Sequence, residues 1–455
     1  MRRMGIGLGI GINRSNYAQG IFGAYQSRVI ADGGVTEGGA CVDAVSSLLQ
    51  SASLLLIPSG YKSGKAYAEI PTNGNGDLTW TRASTAIRTN STGLLESMAT
   101  GVPRLSYLYG SCPALLLEPQ RTNLALQSES FDNSSWTKTR CTISANSVVS
   151  PDGNTTADTL VEDTTATSSH PVSQGVTLTA AAQTFSVYAK AANRSWISLS
   201  LLSTTNASAF FNLSNGTVGT VGSAATASIV SVGNGWYRCV ITATTAAGAN
   251  TLGIYPASAD ATNVYTGNGT ASIYIWGAQC EVGAYVTTPI PTTTASATRI
   301  ADSFSRNNIY TNGLITSSGG TWFVEFVNNI PLGRDSGANG LFLGNASTGG
   351  TNTFVIGGFT APTTNRMRIG KFVSGVYSQL YVTTTTTVKI AIKWDGTSAD
   401  IFANGTKVVS ATSFTATNME FLGHDGTTEV QKFIQAMALY PSPLSDTDCT
   451  TLTTL

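Results

Sequence analysis

The stretch VKIAIKWDGTSADIFANGTKVVS, residues 388–410, leaves the backbone few choices. Ile390, Ile392 and Trp394 recur at every second position, the period of a pleated strand with one buried face. Asp395-Gly396 interrupts the alternation, Ile401 and Ala403 resume it, and Asn404-Gly405 interrupts it again. These dipeptides accept the positive φ that two-residue hairpins demand, so the stretch predicts a three-strand meander with Trp394 in its core. A helix cannot use this pattern, because its faces repeat every 3.6 residues.

The same pattern recurs upstream. TFSVYAKA, RSWISLSLL, AFFNLSNGTVG, ASIVSVGNGWYRCVITAT and ASIYIWGAQCEVG read as strands separated by turn signals at the spacing of sandwiches and jelly rolls. TWFVEFVN and LFLGNAS continue the pattern, and PIPTTTASATRIAD reads as a linker. In LYPSPLSDTDC, Ser445 with Asp448 three residues on predicts a capped closing helical turn. The fold class is therefore mainly β: an N-terminal anchor arm with a short helix, followed by two antiparallel β-sandwich domains of jelly-roll or lectin-like type. The boundaries fall at 1–58 for the arm, 59–113 for a β-rich connecting segment, 114–300 for the jelly roll and 301–455 for the second sandwich.

The first 58 residues read differently. In MRRMGIGLGIGIN, Gly5, Gly7, Gly9 and Gly11 alternate with Ile6, Leu8, Ile10 and Ile12. Period two makes this a strand with one aliphatic face and one bare-backbone face, which lets another backbone approach closely. The run is too short and too soon interrupted by Asn13 and Arg14 for a secretory signal, and it lacks the unequal glycine spacing of a phosphate loop. GYKSGK, with Ala66 next, also misses that motif. Val42, Val45, Leu48, Leu49 and Ala52 form a helical apolar stripe. Strand, arm and lone helix cannot enclose a core, so they need a neighbour, either a second copy or another protein.

Charge excludes several partners. The 455 residues carry 25 basic and 25 acidic side chains, only 11% of the chain, so no basic excess exists to bind nucleic acid by counterion release. Apolar runs such as Leu54–Ile57 are far short of a membrane-spanning helix, so neither nucleic acid nor membrane is an expected partner. Six cysteines (Cys41, Cys112, Cys141, Cys239, Cys280, Cys449) show no CxxC pair and read mainly as reduced, buried small residues.

For catalysis the chain offers His170 and His424, both in turn-like contexts, and neither a GxSxG elbow nor an HExxH motif. A glycosidase could use paired carboxylates, but composition does not single out a pair. The expectation is a non-enzyme without a cofactor; Asp425 beside His424 is a weak calcium signal. Aromatic residues on strand faces are the candidates for holding the apolar face of a sugar ring: Tyr188, Trp236 with Arg238, Tyr274 and Trp276.

Three sets of phrases resemble known proteins. CPALLLEPQRTNLALQSESFDNSSWTK, SPDGNTTADTLVEDTT, GNGWYRC and YIWGAQCEVG resemble the carbohydrate-binding-module-like jelly roll of tailed-bacteriophage structural proteins. KIAIKWDGTSADIFANGTKV and ALYPSPLSDTD resemble the laminin-G-like, concanavalin-A-like sandwich. GIGLGIGINRSNYAQGIF, SLLLIPSGYKSGKAYAEIPTNGNGDLTWTRAS and GVPRLSYLYGSCPALLLEPQRTN are similar to appendage proteins of gut Bacteroidetes phages, the crAss-like group among them. The resemblance implies a head fibre, spike or tail-associated adhesin on the virion surface, anchored through Gly5–Ile12, homo-oligomeric, touching other virion proteins and holding host-surface or mucosal glycans. A particle-borne polysaccharide depolymerase and a tail receptor-binding protein are the alternatives.

Overall fold

A computed structural model describes residues 27–37, 47–202, 206–317, 319–327, 339–345, 352–358, 367–374, 376–383, 387–415, 418–424, 426 and 431–454. The Gly5–Ile12 anchor, Val42, Val45 and Asp425 lie outside them.

The meander forms as its residues dictate. Thr387–Trp394, Ser398–Ala403 and Thr406–Ser413 pair in sequence, with Ile390 opposite Ala403, Ile392 opposite Ile401 and Trp394 opposite Ala399. Asn404 and Gly405 both adopt positive φ, 48° and 79°, as a tight hairpin requires. Trp394 is buried with Trp322, Phe354 and Phe414 between two sheets. Ser445 caps the closing helix Asp446–Thr453, its Oγ accepting from the Asp448 N–H at 3.1 Å.

That meander is one edge of an eight-stranded sheet ordered Thr406–Ser413, Ser398–Ala403, Thr387–Trp394, Gly320–Val327, Lys432–Tyr440, Ala114–Leu117 and Leu105–Ser106. The eighth strand, Leu54–Leu56, pairs with the other end of Lys432–Tyr440. The facing ten-stranded sheet runs Val35–Thr36, Gly60–Lys62, Lys65–Ala66, Leu78–Thr81, Ser303–Asn307, Phe421–His424, Asn339–Gly344, Thr353–Gly358, Met367–Val373 and Val376–Thr383. Trp80, Phe304, Leu341, Ile356 and Leu422 fill the space between the two.

This pairing redraws the sequence-based division. The supposed connecting segment 59–113 and the unit 301–455 interleave in one sandwich, and residues of the supposed arm join them. In the described part of the predicted helical stripe Ser47–Gln50 is helical; Leu48, Leu49, Ala52 and Leu55 pack on Phe323, Ala438 and Leu452. The neighbour that this segment needed is the chain's own C-terminal half. Local periodicity reveals strands but not which distant strands pair, which is why the interleaving was not readable.

The jelly roll is an insertion in that sandwich. Arg121–Asn123 leaves it and Ala297–Arg299 returns, and the two segments pair antiparallel, Arg121 opposite Arg299. Between them lie two six-stranded sheets. One runs Cys141–Val148, Ala157–Glu162, Ser272–Val282, Ala182–Ala191, Trp236–Thr244 and Ala225–Ser231; the other Thr137–Lys138, Val172–Leu178, Gly248–Ala257, Trp196–Leu202, Asn206–Asn212 and Thr217–Val221. Alternate residues such as Phe185, Val187, Ile197, Leu199, Phe211, Ile254 and Ile275 make their common core.

At the neck, charge is buried. Glu118 accepts from Arg104 Nη1 at 2.6 Å, from the Thr288 N–H at 2.8 Å and from Gln431 Nε2 at 2.7 Å, and it faces Arg299 Nη1 at 3.0 Å. Asp302 takes Arg82 Nη1 at 2.9 Å, Arg104 Nη2 and the Glu118 N–H. Strand ends of the large sandwich and a loop of the jelly roll thus share one enclosed network.

Candidate glycan-binding faces of the jelly roll

The structure brings the five predicted residues together. They project from the first jelly-roll sheet on the side away from its core, since the intervening Val187, Ala189, Cys239 and Ile275 face inward. Tyr188 stands opposite both Arg238 and Trp276, and Lys190 opposite both Trp236 and Tyr274. The Tyr188 and Trp276 rings meet edge to face at 5.4 Å, and the Arg238 guanidinium lies 5.0 Å from the Tyr188 centroid.

That face is covered. Tyr188, Trp236, Arg238 and Trp276 retain only 2%, 1%, 8% and 3% of their surface. Leu95, from the hairpin Ala86–Thr89/Leu95–Met98, packs on them with Val148 and Val232. Their polar atoms are also engaged: Trp236 Nε1 donates to Val149 O at 3.1 Å, Trp276 Nε1 to Thr156 Oγ1 at 3.2 Å, and Arg238 Nη1 to Thr287 O at 2.6 Å. The expectation of an open platform is therefore corrected for these four residues, which form a buried aromatic layer; Tyr274 alone stays half-buried. Alternation tells which side chains leave a sheet, not whether another segment lies over them.

Neither histidine is a solvated turn residue. His170 is buried with Nδ1 2.8 Å from Arg140 O and 3.2 Å from an Asp163 oxygen. His424 ends a strand, fully buried, with Nδ1 3.1 Å from Asp302 O. Burial, reinforced by the Lys432 charge, holds its imidazole neutral, well below the usual range. Glu162 is paired with Arg194 at 2.7 and 2.9 Å, as Glu118 and Asp302 are with their arginines. Among the described residues no three His, Cys, Asp or Glu side chains cluster as a metal would require.

A second aromatic group lies on the other sheet. In RSWISLSLL, Ile197, Leu199 and Leu201 enter the core, so Trp196, Ser198 and Ser200 face outward. Ser198 stands between Tyr255 on one neighbouring strand and Phe210 on the other. Tyr255 and Trp196 remain half-buried, and Phe210 keeps 8% of its surface. Two glycines let the rings lie down. A Cβ on Gly253 would meet Tyr255 Cε2 and Ser200 Oγ, each at 2.5 Å, and one on Gly219 would meet Trp196 Cζ3 at 2.7 Å.

Tyr255 thus covers Ser200, whose buried hydroxyl finds no hydrogen-bond partner among the described residues. The two half-buried rings stand on adjacent paired strands, Trp196 opposite Ala257 and Tyr255 opposite Ser198. Their surroundings are hydroxyl and amide: Ser173, Thr177, Thr251 and Asn212, with Asp260 the charged group beside Trp196. No strand or helix of the large sandwich has a substantial packing contact with this sheet among the described residues. The sequence signal for it lies in the Trp-x-Ser-x-Ser alternation and in Tyr255 two residues after a strand glycine, fewer aromatics than the YIW and GWYR phrases carry.

Fold and face together define a mainly β protein in which a jelly roll is inserted in a larger sandwich and presents aromatic rings on a hydroxyl-lined sheet. Comparison with family models and with curated proteins finds no match. Among solved structures, domain 4 of AbnA, a GH43 extracellular arabinanase from Geobacillus stearothermophilus in complex with arabinotriose, is 14% identical. It covers 38% of this chain and 81% of its own, with a TM-score of 0.26. The N-terminal CBM22-1-CBM22-2 tandem domain of Paenibacillus barcinonensis Xyn10C is 11% identical, covering 70% of this chain and 98% of its own, with a TM-score of 0.22. Overlaps this loose carry no argument about ligand, so the functional reading rests on the face itself.

Proposed function

We propose that the protein is a non-enzymatic adhesin whose jelly roll holds neutral glycans on the face that carries Trp196 and Tyr255. The observation that carries this reading is the half-buried pair Trp196 and Tyr255, each with ring atoms over a glycine of a sheet that no strand or helix of the large sandwich packs against among the described residues. Rings in that pose offer the apolar stacking surface that sugar C–H groups need, and the flanking hydroxyls supply hydrogen bonds. Asp260, beside Trp196, would repel an acidic sugar.

The sequence resemblance to phage appendage proteins supports a place on the virion surface, with the N-terminal arm as the attachment. Two measurements test the pair of claims. The full chain, incubated with neutral and uronic-acid polysaccharides, is expected to be retained on the neutral ones without shortening them; shortening would establish a depolymerase, the second reading. Mass spectrometry of purified particles is expected to find the chain, and its absence would overturn the virion placement.

A further inference from the structure

On one side the jelly roll ends in Ala225–Ser231, a strand without charge, proline or bulge, while its companion edge Thr217–Val221 is capped by Asp260, which accepts from the Thr220 N–H at 2.7 Å. Ala225–Ser231 is the terminal strand of its sheet and pairs inward with Trp236–Thr244 through seven consecutive residue pairs without a bulge, from Ala225 opposite Ala243 to Ser231 opposite Tyr237. From Leu213 to Gly235 the sequence holds no charged residue and no proline. Unpaired strand edges are usually blunted by charge, proline, a bulge or shortness, because their free N–H and C=O groups will pair with any strand that arrives.

The opposite side of the same jelly roll is blunted. Cys141–Val148 is broken by a bulge between Ser144 and Val148, with Asn146 at a φ of 51°, and its companion edge Thr137–Lys138 is two residues long and ends in lysine. In the large sandwich, the edge Thr406–Ser413 carries Lys407 and two register shifts.

The unprotected edge also leaves the core ajar. Ala225, Ala227 and Ile229 point inward and pack on the jelly-roll core, yet each is only half-buried, while Thr226, Ser228 and Val230 on the other face are exposed. We infer that Ala225–Ser231 is a self-association strand: a second copy of this chain adds its own Ala225–Ser231 antiparallel across a two-fold axis, joining two six-stranded sheets into one.

The strand is self-complementary in that register. With Ser228 on the axis, Ala227 stands opposite the partner's Ile229 and Ile229 opposite the partner's Ala227, small against large, on the core side. Thr226 stands opposite the partner's Val230 on the outer side. An uncharged edge meets its copy without repulsion, and an antiparallel pair is isologous, as a closed dimer requires. This interface is independent of the glycan face, which lies on the other sheet.

The test uses the full chain in sedimentation velocity at about 1 to 100 µM, a range that brackets weak and firm dimers. Wild type is expected to sediment as a dimer. Ser228→Lys, an exposed position whose charge would face its own copy, is expected to weaken dimerisation at least tenfold while leaving the melting temperature within about 2 °C. Ser228→Cys is expected to form a disulfide-linked dimer on mild oxidation, because directly opposed Cα atoms fall in the range a disulfide spans; Thr220→Cys, on the neighbouring sheet, is the control that should not. A monomeric wild type, a Ser228→Lys dimer of unchanged affinity, or a dimer lost only on deleting residues 1–26 would each overturn the assignment, the last giving the interface to the N-terminal arm.

Discussion

Arg104 and Glu118 meet at 2.6 Å with both side chains wholly enclosed, at the point where the jelly roll joins the large sandwich. Burial alone would push the Glu118 carboxyl up, but Arg299 and Arg104 outweigh it and hold it at about 2, with the Thr288 hydroxyl helping. Breaking one side of such a pair strands the other charge in the interior, at a cost of about 3–5 kcal/mol. Calorimetry of the full chain is therefore expected to show one transition, and Glu118→Gln or Arg104→Met to lower it or split it in two. Because the folded value lies below the ordinary 4.5, this stabilisation is present above pH 4.5 and is lost as pH falls toward 2. The single transition should thus persist at pH 5.

Glu69 behaves oppositely. Burial pushes its carboxyl up to about 7, against smaller contrary effects of the Ser59 hydroxyl and Arg28. One of its oxygens has no hydrogen-bond partner among the described residues. A raised value means that the folded state holds the proton more tightly, so the stabilisation is complete below about pH 4.5 and is lost as pH rises through 7. Wild type should lose on the order of 3 kcal/mol relative to Glu69→Gln between pH 4.5 and 8. Denaturant unfolding of both at the two pH values checks it; equal losses would show Glu69 to be solvated.

Cys239 and Cys280 are buried in the jelly-roll core, and burial raises both thiols far above the usual range; Cys449 is pushed up to about 12 and Cys141 to about 11. Iodoacetamide at pH 8 should therefore leave Cys239, Cys280 and Cys449 unmodified in the native protein and label all three in guanidinium. Peptide mapping reads each site separately.

The two aromatic groups should separate in their effects. Trp276→Ala or Trp236→Ala empties a packed layer and is expected to cost about 3–5 kcal/mol. Trp196→Ala removes a half-buried ring and is expected to cost nearer 1 kcal/mol. Chemical denaturation of the three variants gives the comparison.

How far the sequence spoke follows from what periodicity carries. Alternation and the Asp395-Gly396 and Asn404-Gly405 turns gave the three strands of the meander and the burial of Trp394, because each depends on neighbours within a few residues. Leu54–Leu56 beside Leu439 could not be read that way; nearly four hundred residues separate partners whose only shared signal is apolarity. The site failed for a related reason. YIW and GWYR looked like a platform, and their outward direction was right, but the covering Leu95 comes from a hairpin 180 residues upstream of Trp276. Trp196 and Tyr255 carried the weaker phrase and the uncovered position.

In the proposed function Trp196 and Tyr255 hold a neutral glycan. Affinity electrophoresis of the full chain through gels containing neutral polysaccharides tests it most directly, comparing wild type with Trp196→Ala/Tyr255→Ala after circular dichroism confirms that both are folded. At least one neutral polysaccharide is expected to retard wild type, and the double variant to migrate as in an empty gel. Equal retardation of both proteins, or free migration of wild type through every neutral gel, would contradict it.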